Sequence, residues 1–287
     1  MYSHAYLPTV TVLPGRIRVY LAFRDGEGIG RIGYVDLNPE DPMRVIRVSD
    51  DPVLDIGPPG TFDDNGVTPL SIVETGGEIW MYYAGWHLSP SVRYHLFTGL
   101  AVSNDGGDSF RRYANVPIID RTDSAWLLRS GVCVLKVGDK WKCWHAASAG
   151  YIKQGGKRIP SYDWAYMESD DGIHWPDQHV VVIPASPGKI IGYGRAHILY
   201  ESEKYKAWIS VRTLQTGYKI GYATSPNGIH WSELDYERGL LPSGDGFDSK
   251  EVCFSSVFDV GGKRYMVYNG NDFGLSGFGL AIWEQDR

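Results

Sequence analysis

The sequence predicts an all-β chain closed into a five-bladed β-propeller, and three observations carry that prediction. A short phrase returns five times: IGYVD at 32–36, GLAVS at 99–103, WAYMES at 164–169, IGYATS at 220–225 and FGLAIW at 278–283. Ahead of each lies a stretch rich in aromatic and β-branched residues, RVYLAFRD, EIWMYYAG, KWKCWHAA, KYKAWISV or KRYMVYNG, a composition that suits a pleated, half-buried surface. Three phrases run on into related turns, SNDGGDSF at 103–110, SDDGIHW at 169–175 and SPNGIHW at 225–231. Self-similarity at a long, regular spacing marks a repeated architecture, and a ring of repeats leaves only short, protected strand edges. A β-sandwich gives no reason for five similar phrases.

The blades follow in order as about 1–50, 62–118, 127–184, 193–240 and 248–287, a single domain over 1–287. Blade one contains YLPTVTVL, RIRVYLAF and RIGYVDLN, with RVIRVS as its outer strand and the glycine-rich RDGEGIG as a tight connection. Blade two opens after IGPPGTFDD with GVTPLSIVE and EIWMYYAGW, then reaches LFTGLAVS past the insert HLSPSVRYH. Blade three has GVCVLKV, KWKCWHAAS, an insert at 150–161 and YDWAYMES; blade four has RAHILYE, KYKAWISVR and YKIGYATS. Blade five has EVCFSSVFDV, KRYMVYNG and GFGLAIWE. Most blades therefore have four antiparallel strands, and the last has three because no room for an outer strand remains after Trp283. The turns resemble the Asp-box of several propellers. Asp105, Asp170, Asp171 and Asn227 are accordingly read as caps on backbone amides.

The 287 residues, 43% hydrophobic and 22% charged, suffice for a substantial core. A net charge of −6 and a pI near 5.7 disfavour a nucleic-acid partner, which requires a basic stripe. With 19 Tyr and 10 Trp, rings in excess of a core suit a saccharide, which presents flat C–H faces. Cys133, Cys143 and Cys253 lie in apolar strand patterns and read as buried thiols. No histidine spacing on one element supports a metal site, and no glycine phrase opens a helix as a nucleotide loop would. No cofactor or metal is expected. MYSHAYLPTV lacks the regions of a signal peptide, and no stretch approaches the ~20 apolar residues of a membrane span. A cytoplasmic protein without a membrane partner is expected, either monomeric or weakly self-associating through the edge of the last blade.

In a propeller, the starts of the innermost strands and the connections between second and third strands surround the mouth of the channel. Aligning the blades places His4, Asp63 with Asp64, Arg129, Arg195 with His197, and Asp248 with Glu251 at the strand starts. The connections add Arg24, Asp25, Trp86, Arg93, Arg212, Asn271 and Asp272. Charges there must be paired or wet, because unpaired burial is costly. Cleavage of a glycosidic bond needs one carboxyl group to protonate the leaving oxygen and another to activate water or attack carbon. Asp64 and Glu251 are the expected pair, with Asp63 adjoining, and a separation of about 6.5–9.5 Å would suit inversion. Glu251, followed by the apolar VCFSSVF, is the expected acid; Asp64, in polar company, is the expected base. The arginines either neutralise these carboxylates or hold an acidic sugar, a sugar phosphate or free phosphate.

SHAYLPT at 3–9, RDGEGIGRIGYVDLNPEDP at 24–42, FDDNGVTPLSIVE at 62–74, FDSKEVCFSSV at 247–257 and YNGNDFGLSGFG at 268–279 carry a family resemblance across essentially the whole chain. The sequence resembles the five-bladed propeller superfamily of glycoside hydrolases, which holds the arabinanase/xylosidase and invertase families and the mannoside phosphorylases. Within it, the sequence is most similar to an uncharacterised bacterial group. The resemblance implies a carbohydrate-active enzyme, with inverting hydrolysis of an anionic or polar saccharide as the first expectation. Phosphorolysis and carbohydrate binding without catalysis are the alternatives. Hydrolases of the superfamily commonly carry an Asp base on the first blade, an orienting Asp on the second and a Glu acid on the third. Here the first offers His4, the second Asp64, and the third Arg129 with Ser130; Glu251 sits on the fifth. The phosphorylase branch makes do with one carboxylate and holds phosphate with Arg, His and Lys, which fits the arginine-rich mouth.

Overall fold

The computed structural model of the chain describes residues 3–186 and 188–284. Successive strands pair antiparallel in sequence order. The first sheet is Ser3–Leu13 (β1), Arg16–Arg24 (β2), Gly30–Leu37 (β3) and Val45–Val48 (β4). The second set is Val67–Thr75 (β5), Glu78–Leu88 (β6), Tyr94–Ser103 (β7) and the two-residue Arg111–Arg112 (β8). The third is Leu128–Val137 (β9), Lys140–Gln154 (β10), Lys157–Ser169 (β11) and Val180–Ile183 (β12). The fourth is Ile190–Glu201 (β13), Lys204–Thr213 (β14), Tyr218–Ser225 (β15) and Asp235–Leu240 (β16). The last is Cys253–Val260 (β17), Lys263–Asn269 (β18) and Gly279–Ile282 (β19), three strands among the described residues. Short parallel pairings join β7 to β9 and β11 to β13. This all-β arrangement of antiparallel sheets is consistent with a β-propeller. No helix among the described residues is long and apolar enough to cross a membrane.

Several bounds differ from the sequence pattern. The third unit's inner strand begins at Leu128 rather than Gly131, the fourth's at Ile190 rather than Arg195, and the last unit's at Cys253, which leaves Glu251 ahead of the strand. The expected insert at 150–161 is instead the paired end of the β10–β11 hairpin, from Gly150 opposite Ser161 to Gln154 opposite Lys157. All five inner strands carry a bulge near the start: Tyr6 and Thr9 pair with Ala22 and Tyr20, Pro69 and Ser71 with Tyr83 and Tyr82. Ser130 and Cys133 likewise pair with Ala146 and Trp144, Tyr193 and Ala196 with Val211 and Ile209, and Cys253 and Ser256 with Asn269 and Val267. A bulge adds one residue on one strand and turns the chain. Leu7 and Phe254, both in bulges, take φ of +57° and +56°, a region that non-glycine residues rarely occupy.

The repeated turns fasten neighbouring units. Asp105 Oδ1 accepts the amides of Asp108 and Ser109 (both 3.0 Å), Asp171 Oδ1 those of Ile173 and His174 (both 2.8 Å), and Asn227 Oδ1 those of Ile229 and His230. Each turn presents a glycine carbonyl to the second strand of the preceding unit. Tyr20 donates to Gly107 (2.9 Å), Tyr82 to Gly172 (2.9 Å) and Trp144 Nε1 to Gly228 (2.7 Å). These glycines have φ of +86°, +77° and +80°, and a Cβ on any of them would collide with the aromatic partner or its neighbour. Between the first and last units, Asn269 accepts the amide of Leu7 (2.8 Å) and donates to the carbonyl of Ala5 (2.8 Å). The three thiols are buried and unpaired.

Candidate functional site: an aromatic hollow at the inner-strand bulges

Where the five bulges converge there is a cavity of about 70 Å³ whose wall includes the bulge residues Leu7, Leu70, Gly131, Gly194 and Phe254. Through Tyr6, Thr68, Trp86 and Tyr94 it adjoins a wider hollow of about 360 Å³, rimmed by Arg24, Glu27, Asn65 and Arg93. Arg195 forms part of the inner wall. Its guanidinium donates to Thr9 Oγ1 (2.7 Å) and to the carbonyls of Leu70, Pro8, Phe254 and Ser255 (3.3, 2.8, 2.5 and 3.0 Å). Arg195 is therefore an internal tie between strands of three units, only 2% exposed.

Phenols enclose the cavity. Tyr6, Tyr94, Tyr162 and Tyr218 come from units one to four, and the hydroxyls of Tyr162 and Tyr218 are 2.8 Å apart. Trp86 meets Tyr94 edge-on at 5.1 Å and donates through Nε1 to Thr68 Oγ1. Arg212 pairs with Tyr218 across β14 and β15, and its guanidinium lies 5.7 Å from that ring's centroid. Burial pushes the Tyr94 phenol up to about 12, with Tyr162 adding to the effect and the Arg212 charge opposing it. Burial also raises Tyr218 well above the usual phenol range. Both remain protonated donors at neutral pH. Tyr94, Tyr162 and Tyr218 are not among the residues expected from the sequence. The available signal was a tyrosine on the third strand of units two, three and four, ahead of the repeated phrase.

Glu251 lines neither hollow but is tied to the cavity residue Tyr218. Its carboxylate accepts the amide of Tyr218 through Oε2 (3.3 Å) and that of Asp272 through Oε1 (3.1 Å). Asn271 Oδ1 holds the backbone of Lys250 and Glu251 (2.8 and 3.2 Å). Asp272 and Phe273 follow at φ of +53° and +57°, and the Phe273 ring packs on Tyr6 and Tyr218. His4, with φ +60°, faces Arg24 at 3.5 Å. Burial and then the Arg24 charge lower the His4 pKa, against a smaller opposing pull from Asp272. Of the expected residues, Arg24 and Trp86 line the wider hollow; His4 meets Arg24, Arg212 meets the Tyr218 ring, and Glu251, held by Asn271, is tied to the Tyr218 amide.

The remaining expected residues do not join them. Asp64 lines neither hollow; it accepts the amide of Gly60 (2.9 Å) and lies 3.6 Å from His87 Nδ1. Asp63 is fully buried and accepts from Tyr83 (3.0 Å), Arg112 (2.8 Å) and Thr61 (2.9 Å), a structural role set by its position under the sheet. Asp25 caps its own loop through the amides of Glu27 and Ile29 and pairs with Arg31. Arg129 donates to the carbonyls of Asp120 and Pro176 inside the protein. His197 meets Ser256 at 3.4 Å, and Asp248 accepts from Tyr268 and Ser243. Among the described residues, no group of three or more His, Cys, Asp or Glu could hold a metal ion.

No family model matches the chain. Over 283 residues it is 32% identical to the uncharacterized protein Rv1502 of Mycobacterium tuberculosis (strain ATCC 25618 / H37Rv), covering 98% of this chain and 93% of that protein. Among solved structures it is similar to a glycoside hydrolase, with a TM-score of 0.78 at 17% identity over 99% of this chain and 88% of the other. It is also similar to a thermostable family-43 glycoside hydrolase, with a TM-score of 0.70 at 16% identity over 99% and 91% of the two chains. At these identities the structural likeness establishes a shared fold.

Proposed function

The chain belongs to the family of the Mycobacterium tuberculosis protein Rv1502, and from the hollow just described we propose that it is a carbohydrate-active enzyme that cleaves a glycosidic bond. On this reading the five units close as the blades of one five-bladed propeller domain. The contacts of β1 with β5, β5 with β9, β9 with β13, β13 with β17 and β17 with β1 support that closure. The observation that carries the function is the cavity at the inner-strand bulges, walled by Tyr6, Trp86, Tyr94, Tyr162 and Tyr218. Aromatic walls suit a sugar ring, and the few polar groups around them fix its orientation.

Glu251 is the residue assigned to protonate the leaving oxygen. Tyr218 and Asp272 position its carboxylate, and a substrate hydroxyl or glycosidic oxygen must compete with one of those amides. Asp64, held at Gly60 and His87, is not assigned to the chemistry. Phosphorolysis is the second reading, favoured because neither carboxylate of the expected pair lines either hollow, whereas Arg24 and Arg93 line the wider one. The test is turnover of a panel of nitrophenyl glycosides with and without phosphate. Glu251→Gln is expected to lower kcat by at least about 10²-fold, whereas Asp64→Asn leaves it within about threefold. Equal loss in both variants would restore the two-carboxylate scheme, and undiminished turnover in Glu251→Gln would remove Glu251 from the reaction.

A further inference from the structure

Arg18, Arg31, Arg112 and Arg264 each bind one or more carboxylates, and the buried Arg129 and Arg195 donate to backbone carbonyls. Arg24, Arg93 and Arg212, the three around the hollow, have no carboxylate within ion-pair distance among the described residues. Arg212 is the most enclosed of these, packed over Tyr218 and beside the phenols of Tyr94 and Tyr162. A guanidinium taken out of water without a counter-charge is costly unless something supplies one. In a protein of net charge −6, three such cations at one opening need a reason.

Within the Tyr162–Tyr218 pair one hydroxyl donates to the other, which leaves one hydrogen free to point elsewhere. The Tyr94 oxygen accepts from the Arg212 guanidinium, so its own hydrogen is likewise left to point elsewhere. The inner end of the hollow therefore offers two O–H donors and a guanidinium fork, with no carboxylate to satisfy them. We propose that Arg212, Tyr94 and Tyr162 form an oxyanion subsite, which takes a carboxylate or phosphate group while the sugar ring rests on the aromatic wall. The fork matches two oxygens of such a group, and charge-assisted bonds of this kind are about twice as strong as neutral ones. This rests on the carbohydrate reading above and names its ligand class: a sugar carrying its own acid group, or a neutral sugar together with free phosphate.

Calorimetric titration of the full chain with D-glucuronate, with glucose and with inorganic phosphate separates the cases. Binding of glucuronate at least about tenfold tighter than glucose, with the preference abolished in Arg212→Gln, places the acid group on the sugar. Binding of phosphate that is lost in Arg212→Gln, with glucuronate no tighter than glucose, places it on free phosphate; either result supports the subsite. Tyr94→Phe keeps the ring against Trp86 and is expected to weaken the same anion by about three- to tenfold, so it carries the test if Arg212→Gln does not fold. An anion preference that survives both variants, or glucose binding without either anion, overturns the subsite and leaves the carbohydrate reading standing. Absence of binding by all three ligands overturns both.

Discussion

The His145 ring is fully buried, with Nδ1–H donating to the Ala146 carbonyl at 3.1 Å and Nε2 left without a partner. Burial above all, and next the charge of Arg129, pushes its pKa down to about 3 from 6.5, against a smaller opposing effect of the Ala146 bond. The unfolded chain takes up a proton near pH 6.5 that the folded chain refuses until about pH 3. Stability is therefore complete above pH 6.5 and falls as the pH drops below it, by up to about 1.4 kcal/mol per pH unit for this group. Urea midpoints measured between pH 7 and pH 5 should decline less steeply for His145→Gln than for the native chain. An equal slope would mean that another group drives the acid sensitivity. Sequence places His145 in the second strand of its unit, but ring burial depends on neighbours such as His179 and Arg129, which lie on other elements.

At the scale of the single element, the turns were the most legible feature. Their Ser, Asp or Asn, Gly and aromatic residues sit within eight positions, so the hydrogen bonds that define them are local. Burial alone would raise the Asp105 carboxyl. The Ser103 and Ser109 hydroxyls, with the amides of Ser109 and Asp108, outweigh it and hold the group at about 2. The stabilisation is present above the unfolded pKa of about 3.9 and is lost as the pH falls through 2. Asp105→Ala should cost about 1 kcal/mol near neutral pH, the usual effect of losing a side-chain cap. The difference from the native chain in chemical denaturation should narrow as the pH falls below about 4 and close only as it passes through 2. The bulges were not legible. Leu7 and Phe254 read as ordinary apolar strand residues, and a period-two pattern does not reveal which residue of a strand goes unpaired. That omission hid the phenols, because the bulges shape the cavity those side chains enclose.

For the whole molecule, repeats and composition led to the propeller arrangement, while the orientation of individual charges did not follow from them. Arg195, expected at the mouth, points inward because the bulge between Tyr193 and Ala196 reverses the alternation of β13. Its guanidinium satisfies four carbonyls and the Thr9 hydroxyl. A buried acceptor left without its donor costs about 1–3 kcal/mol, and several lose theirs together, so Arg195→Met should lower the unfolding free energy by about 3 kcal/mol or more, as read by urea denaturation. A change below about 1 kcal/mol would show that water replaces the guanidinium without loss. On the proposed closure of the ring, Arg195 stoppers the axis and the well is a cul-de-sac. Whatever comes in must back out the way it came, so a long polysaccharide could offer only its tip and could not be threaded through.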